Sequence, residues 1–405
     1  MGKCCFEFYK PKYIIYILIL SISQSIYWLI SQSLEIVFLN PMANSFLMFL
    51  GQTLSIFLYL YEKYKLNSTK NSKENSDIEI QIANQKKQNW IYFILFFCSL
   101  TELLGNFQYK FYFYGYSMKK FVHNRINASL EPIGYFFFFI LIEHCFLKIS
   151  IARHQILGII INFFGIIISI LHQITLVENR NYISLTLIFF IIMESQFLKT
   201  ISYIIPKKLN YEYFYNMNKI IFIKGLFGLG ISLILGLIID FFFYTMCDNK
   251  DGKKLFHILV LEIGFNFKLI FCVIIYCITS CINNILILKI IEDTRPSNTL
   301  LEPPISQIFK HFFFMFYSKN FELPTTVSKG NSHGKGSNLA LLTLTFLLSF
   351  FGALIFCEVI VIKLCDINKN TINEISKRAF SESLKDLDEI AIGDSDEEEE
   401  NEENI

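Results

Sequence analysis

One polar element occurs twice in this chain. Asn127-Ala-Ser-Leu-Glu-Pro132 returns as Asn298-Thr-Leu-Leu-Glu-Pro303, and an arginine precedes each copy, Arg125 and Arg295. Asn and Glu four residues apart lie on one helix face. The following proline has no N–H, so the carbonyls of Ala128 and Thr299 lose their usual helical partner. Such a set can hold a small polar solute: the arginines take an anionic group, and Asn127 and Asn298 hydrogen-bond its polar atoms. Glu131 or Glu302, desolvated, carries a coupled proton. Glu131 and Glu302 also have a plainer reading, as interfacial residues at the ends of apolar spans.

A third pair at the same spacing is Glu102 and Asn106, readable as part of the same site or as polar glue between helices. Glu194 and Lys199 add opposite charges and read first as a structural ion pair. Gly158 and Gly165, seven apart, share a helix face and are expected to let a neighbouring helix approach closely.

These residues sit in a chain too apolar for water. Of its 405 residues 53% are hydrophobic and only 18% charged, with 44 Phe and 21 Tyr; a soluble chain carries about 25% charge. That excludes a secreted disulfide scaffold, a disordered regulator and an ordinary cytosolic enzyme. A bilayer-spanning helix needs about 20 mainly apolar residues. Reading at that scale gives ten spans: 13–34, 43–61, 89–110, 122–147, 154–173, 181–205, 217–245, 257–290, 296–318 and 338–364. The fold class expected is an all-α membrane protein. The two copies of the polar element stand five spans apart, and an odd-numbered unit inserts its halves in opposite orientations. Ten helices as two inverted five-helix repeats follow, over 13–173 and 181–364.

Lysine placement orients the chain. Lys3, Lys10 and Lys12 precede the first span within 1–12, and six lysines lie in the polar 62–88 loop. Both are expected in the cytosol, as is the tail 365–405, reached after an even number of spans. Residues 382–405 hold 12 acidic side chains against Lys385 alone, the composition of a disordered extension. Asn67-Ser68-Thr69 fits a glycosylation acceptor but faces the cytosol on this topology. Ser395, before Asp396 and four glutamates, suits an acid-directed kinase.

Other signals fail on spacing. Gly330-Asn-Ser-His-Gly-Lys-Gly336 has three residues where a phosphate loop needs four between its glycines, and Gly336 separates Lys335 from Ser337. Gly225-Leu-Phe-Gly-Leu-Gly230 lies in an apolar helix and is no dinucleotide fingerprint. No histidines stand at metal-ligand spacing, so no zinc site is expected. Neither a cofactor nor nucleic-acid binding is expected, and the chain is not read as an enzyme. Cys4 and Cys5 are candidates for acylation beside the first span, though Phe6 stands where a myristoylation start wants Ser or Thr.

Phe146-Leu147-Lys148, a short polar link, Gln155, and Gly158-Ile-Ile-Ile-x-x-x-Gly165 resemble the span-four-to-five junction of the drug/metabolite transporter superfamily. Glu102, Asn106, Tyr114 and Tyr116 resemble the third span of its eukaryotic solute carrier 35 branch. The resemblance covers about residues 13–364. It departs at Ile149, where an acidic residue is usual, and in the long insertion 319–337. It implies ten helices in two inverted repeats around a central site. It also implies secondary transport of an organic solute, a nucleotide sugar or another small metabolite or drug, by alternating access. The solute, anionic on the arginine reading, moves with a coupled proton or an exchanged solute, and the chain sits in the lipid bilayer of an endomembrane (Golgi, ER or vacuolar). The alternative is a non-transporting multi-pass scaffold or receptor-like protein.

Overall fold

The computed structural model describes residues 11–38, 40–69, 89–115, 134, 136–146, 148, 151, 153–176, 182–213, 215–246, 258, 266–293, 296–306, 308–310, 313 and 335–359. The acidic tail, the 62–88 loop beyond Thr69, and Cys4 and Cys5 lie outside them. Among the described residues there is no strand.

The helices are α1 (Pro11–Phe38), α2 (Pro41–Thr53), α3 (Ser55–Thr69), α4 (Asn89–Gly115), α5 (Phe136–Phe146), α6 (Arg153–Leu176), α7 (Tyr182–Tyr213), α8 (Met217–Met246), α9 (Phe267–Asp293) and α10 (Lys335–Phe356). A 3-10 turn, Pro296–Leu301, joins a short helical stretch at 302–306. The sequence places one span at 43–61; the structure divides it between α2 and α3 at Leu54. There Leu54 N–H bonds to Gly51 O at 3.1 Å and Thr53 Oγ1 to Leu50 O at 2.7 Å. The ninth span, expected to be helical from Pro296, opens instead as the 3-10 turn.

Helix ends are capped by side chains. Asn40 accepts from the backbone N–H of Met42 and Ala43 at 2.9 and 3.3 Å, and Pro41 occupies the first turn, where its missing donor costs nothing. Asn216 and Asn266 do the same for α8 and α9, accepting from Lys219 N at 3.1 Å and Leu269 N at 3.2 Å. At its other end α9 is closed by Lys207, whose ammonium donates to Ile291 O at 2.7 Å. A cation there answers both the free carbonyl and the helix dipole. The chain after α10 turns through Glu358 at φ 57°. Val359 N–H reaches Leu354 O and Glu358 N–H reaches Ile355 O, satisfying carbonyls of the last turn.

Among the described residues, five segments are long and apolar enough to cross a membrane: Ile14–Ser31, Met42–Lys65, Trp90–Phe107, Met217–Phe241 and Phe267–Ile291. Their outward faces are apolar, with Phe57, Phe93, Ile234, Phe241 and Phe271 well exposed. Glu102, Lys224, Gln52 and Asn283 point inward and are buried. That distribution is the reverse of a water-soluble protein and suits an integral, multi-pass membrane protein.

Packing follows small residues. α6 lies along α10. A Cβ on Gly158 would stand 2.7 Å from Gly352 O and 2.6 Å from Phe356 N, and one on Gly352 would stand 2.9 Å from Asn162 N. The two glycines therefore set the helix spacing. α2 is wedged between α8 and α9, with Phe49 over Gly228 on one side and Gly51 against Cys277 on the other. α1 packs on α9, and α4 on α7 and α8. Leu20, Ile91, Leu95, Phe139, Ile220 and Ile290 are central to one apolar cluster; Leu34, Met42, Phe49, Leu103 and Tyr276 are central to a second, around α2.

Candidate functional site

Ser99, Glu102 and Asn106 share one face of α4, three and four residues apart. Lys224 stands two turns into α8, in the run Ile220-Ile-Phe-Ile-Lys224-Gly. Where these helices cross, Lys224 Nζ lies 2.7 Å from Glu102 Oε2, and the side chains are 0% and 3% exposed. Glu102 Oε1 accepts from Gln52 Nε2 at 2.9 Å, at the last turn of α2. Ser99 Oγ lies 2.8 Å from the Lys224 carbonyl and fastens α4 to α8. The ring of Tyr203 on α7 stands 5.3 Å from the ammonium, within cation–π range. Four helices therefore converge on one buried ion pair, and the tight α2–α8 approach is permitted by Gly225, whose Cβ would meet Thr53 N at 2.9 Å.

Beside it runs a second polar seam, through α1, α2 and α9. Asn283 Nδ2 donates to Gln24 Oε1 at 2.7 Å, and Ser280 Oγ to Met48 O at 3.0 Å. Tyr276 OH reaches Asn44 O at 3.2 Å and shares a 2.7 Å hydrogen bond with Tyr27, whose ring stacks on it at 4.6 Å. Ser25 Oγ donates to Ser306 O at 3.0 Å and ties α1 to the stretch after the 3-10 turn. Among the described residues, the oxygens Ser23 Oγ, Ser45 Oγ, Gln52 Oε1, Asn283 Oδ1 and Asn284 Oδ1 are buried and meet no hydrogen-bond partner.

The residues expected from the sequence fare differently. Arg125, Asn127, Glu131 and Arg295 lie outside the described residues, as does the side chain of Asn298, whose backbone belongs to the 3-10 turn. Glu302 is half-buried just after that turn. Glu102 is deeply buried, but its partners are Lys224 and Gln52. Asn106 is half-buried, and its Nδ2 faces Met48 Sδ at 3.3 Å. On α7, Glu194 is exposed, and the Lys199 side chain packs beside Gly105. Among the described residues no three His, Cys, Asp or Glu side chains gather as metal ligands.

Sequence reasoning passed over Lys224 and Gln52. The signal for Lys224 was present: an ammonium within an apolar span is costly and marks an interior partner. Gln52 carried no such signal, because an amide near a span end is ordinary. The sequence matches no family model and no curated protein.

Proposed function

We propose that this chain is a secondary transporter of an organic solute, working by alternating access in an endomembrane. On this reading ten transmembrane helices form two inverted five-helix repeats, as in the drug/metabolite transporter superfamily that the sequence resembles. The observation that carries the reading is the Glu102–Lys224 pair with Gln52, sealed inside a bundle whose outer face is apolar. Intramembrane charges cost free energy and mark substrate or ion pathways. This pair joins α2 and α4 of the first half to α8 of the second, the place where repeats meet around a substrate.

The packing pattern supports the two-repeat arrangement. Take α1, α2 with α3, α4, α5 and α6 as the first five spans, and α7, α8, α9, the 296–306 segment and α10 as the second five. Exchanging the halves converts the α1–α9 contact into α7–α4, and α2–α9 into α8–α4; all four pairs are packed together. The α2–α8 and α6–α10 contacts convert into themselves. Even single hydrogen bonds follow the exchange. Ser99 of the third span reaches the Lys224 carbonyl of the seventh, and Ser280 of the eighth reaches the Met48 carbonyl of the second.

The solute binds between the halves at the depth of Glu102 and Lys224, with Asn106 and Glu302 and the repeated Arg125, Asn127, Glu131, Arg295 and Asn298 completing its path. Purified protein in proteoliposomes, offered nucleotide sugars, organic acids and organic amines, tests the reading. Saturable uptake of one class is expected, lost in Lys224→Met. Well-folded protein that moves none of them would leave the non-transporting scaffold as the better reading.

A further inference from the structure

The inference rests on the transporter reading and adds the solute class and the coupling ion. Lys224 carries three donors. Among the described residues, its partners are one carboxylate oxygen of Glu102, at 2.7 Å, and the face of Tyr203. Gln52 Nε2 donates to Glu102 Oε1, and its own buried Oε1 has no hydrogen-bond partner among the described residues. An amide suits both protonation states of a neighbouring carboxyl group. It donates to the carboxylate and, turned over, accepts from the acid.

Charge conservation narrows what this site can take. The pair is neutral as it stands, and a buried charge that loses its partner is strongly unfavourable. A proton on Glu102 alone strands the Lys224 ammonium. An anion at Lys224 with Glu102 still ionised places two negative charges on one ammonium. The two events together keep the cluster neutral.

We infer that Lys224 is the anion-binding residue and Glu102 the proton carrier, so that a monoanionic carboxylate-type solute moves together with one proton. Glu102 takes its proton from water as the solute's carboxylate replaces it beside Lys224 Nζ, and returns it on release. Transport is then electroneutral. Among the described residues, Cys98 on α4 lies close enough to feel both charges, the ring of Tyr203 on α7 faces Lys224, and the stem of Lys199 packs beside Gly105, one turn along α4 from Glu102. α2 contributes the neutral Gln52, and α9 lies against α2 with Cys277 turned to the Leu47 carbonyl. Glu102 is the acid in this set of described residues.

The test uses the full chain in nanodiscs, with formate as the probe. Glu102→Ala vacates the space beside Lys224, so its lowered unfolding temperature should rise with added formate. The same formate should not help Glu102→Ala combined with Lys224→Met. In the unmodified protein, formate binding should take up one proton per formate, seen as alkalinisation of a weakly buffered solution. Its apparent affinity should fall about tenfold per pH unit once Glu102 is ionised. Glu102→Gln should bind formate with no proton uptake, which decides the matter even where the alanine variant fails to fold. No rescue and no proton uptake, equal rescue without Lys224, or unchanged uptake in Glu102→Gln would each overturn the assignment. These are binding measurements, so a protein that transports without formate-linked proton uptake refutes the site and leaves the transporter reading. One that takes up the proton yet moves nothing refutes the transporter reading and leaves the site.

Discussion

At the scale of the residue, Lys224 and Glu102 depend on each other. Each is tolerable in an apolar interior only because the other is 2.7 Å away. Removing one partner of a buried pair costs about 3–5 kcal/mol, whereas replacing both by apolar groups of similar volume is often near neutral. Lys224→Met and Glu102→Leu should therefore each lower thermal stability in detergent steeply, and the double variant should recover most of the loss while losing the site. Two independent, additive losses would mean that the charges are not coupled. Tyr27 gives a milder case. Its hydroxyl shares a 2.7 Å bond with Tyr276, while the rings stack. Tyr27→Phe keeps the stack and should cost about 1 kcal/mol by thermal unfolding; a much larger loss would point to a wider network through Asn44.

At the scale of the element, close approach decides where helices lie. The α6–α10 crossing admits nothing larger than hydrogen at Gly158 and Gly352, because the added atom would meet backbone rather than a movable side chain. Gly158→Ala should destabilise by about 1–3 kcal/mol through overpacking, in spite of alanine's better helix propensity. Gly230 is the internal control: a Cβ there meets nothing within 4 Å, so Gly230→Ala should be neutral or slightly stabilising. Equal effects at both positions, read as midpoints of thermal unfolding, would remove the packing argument. The cap at Asn40 belongs to the same scale, and Asn40→Ala should cost about 1 kcal/mol by exposing the first N–H groups of α2.

At the scale of the whole molecule, the exchange of packing partners between halves connects to topology. On the proposed reading, five spans per half would place the ends of the chain and the 62–88 loop on one side of the membrane. Tags at the N-terminus, within 62–88 and at the C-terminus should all be cleaved by protease added to the cytosolic face of sealed vesicles. Protection of any one tag would break the ten-span count on which the inverted arrangement depends.

Much of the helical layout was legible in the sequence, because apolar length is a local property: runs such as 13–34, 89–110 and 217–245 contain their own evidence, and α1, α4 and α8 cover them. The close-packing role of Gly158 and Gly165 was legible for the same reason, since seven residues return to one helix face. Glu102 was legible as a buried acid because an ionised group within an apolar span has few places to go. Its partner was not. Lys224 lies 122 residues away, and nothing local distinguishes an ammonium that meets Glu102 from one that meets another acid or reaches the interface. Gln52 was further hidden, since its function arises only where α2 is wedged beside Gly225. Hydrophobicity and helical period, summed along the chain, determined which segments are helices and which faces turn outward. Which charges meet is set by pairwise contacts between distant segments, and only the tertiary packing of α2, α4, α7 and α8 decided that.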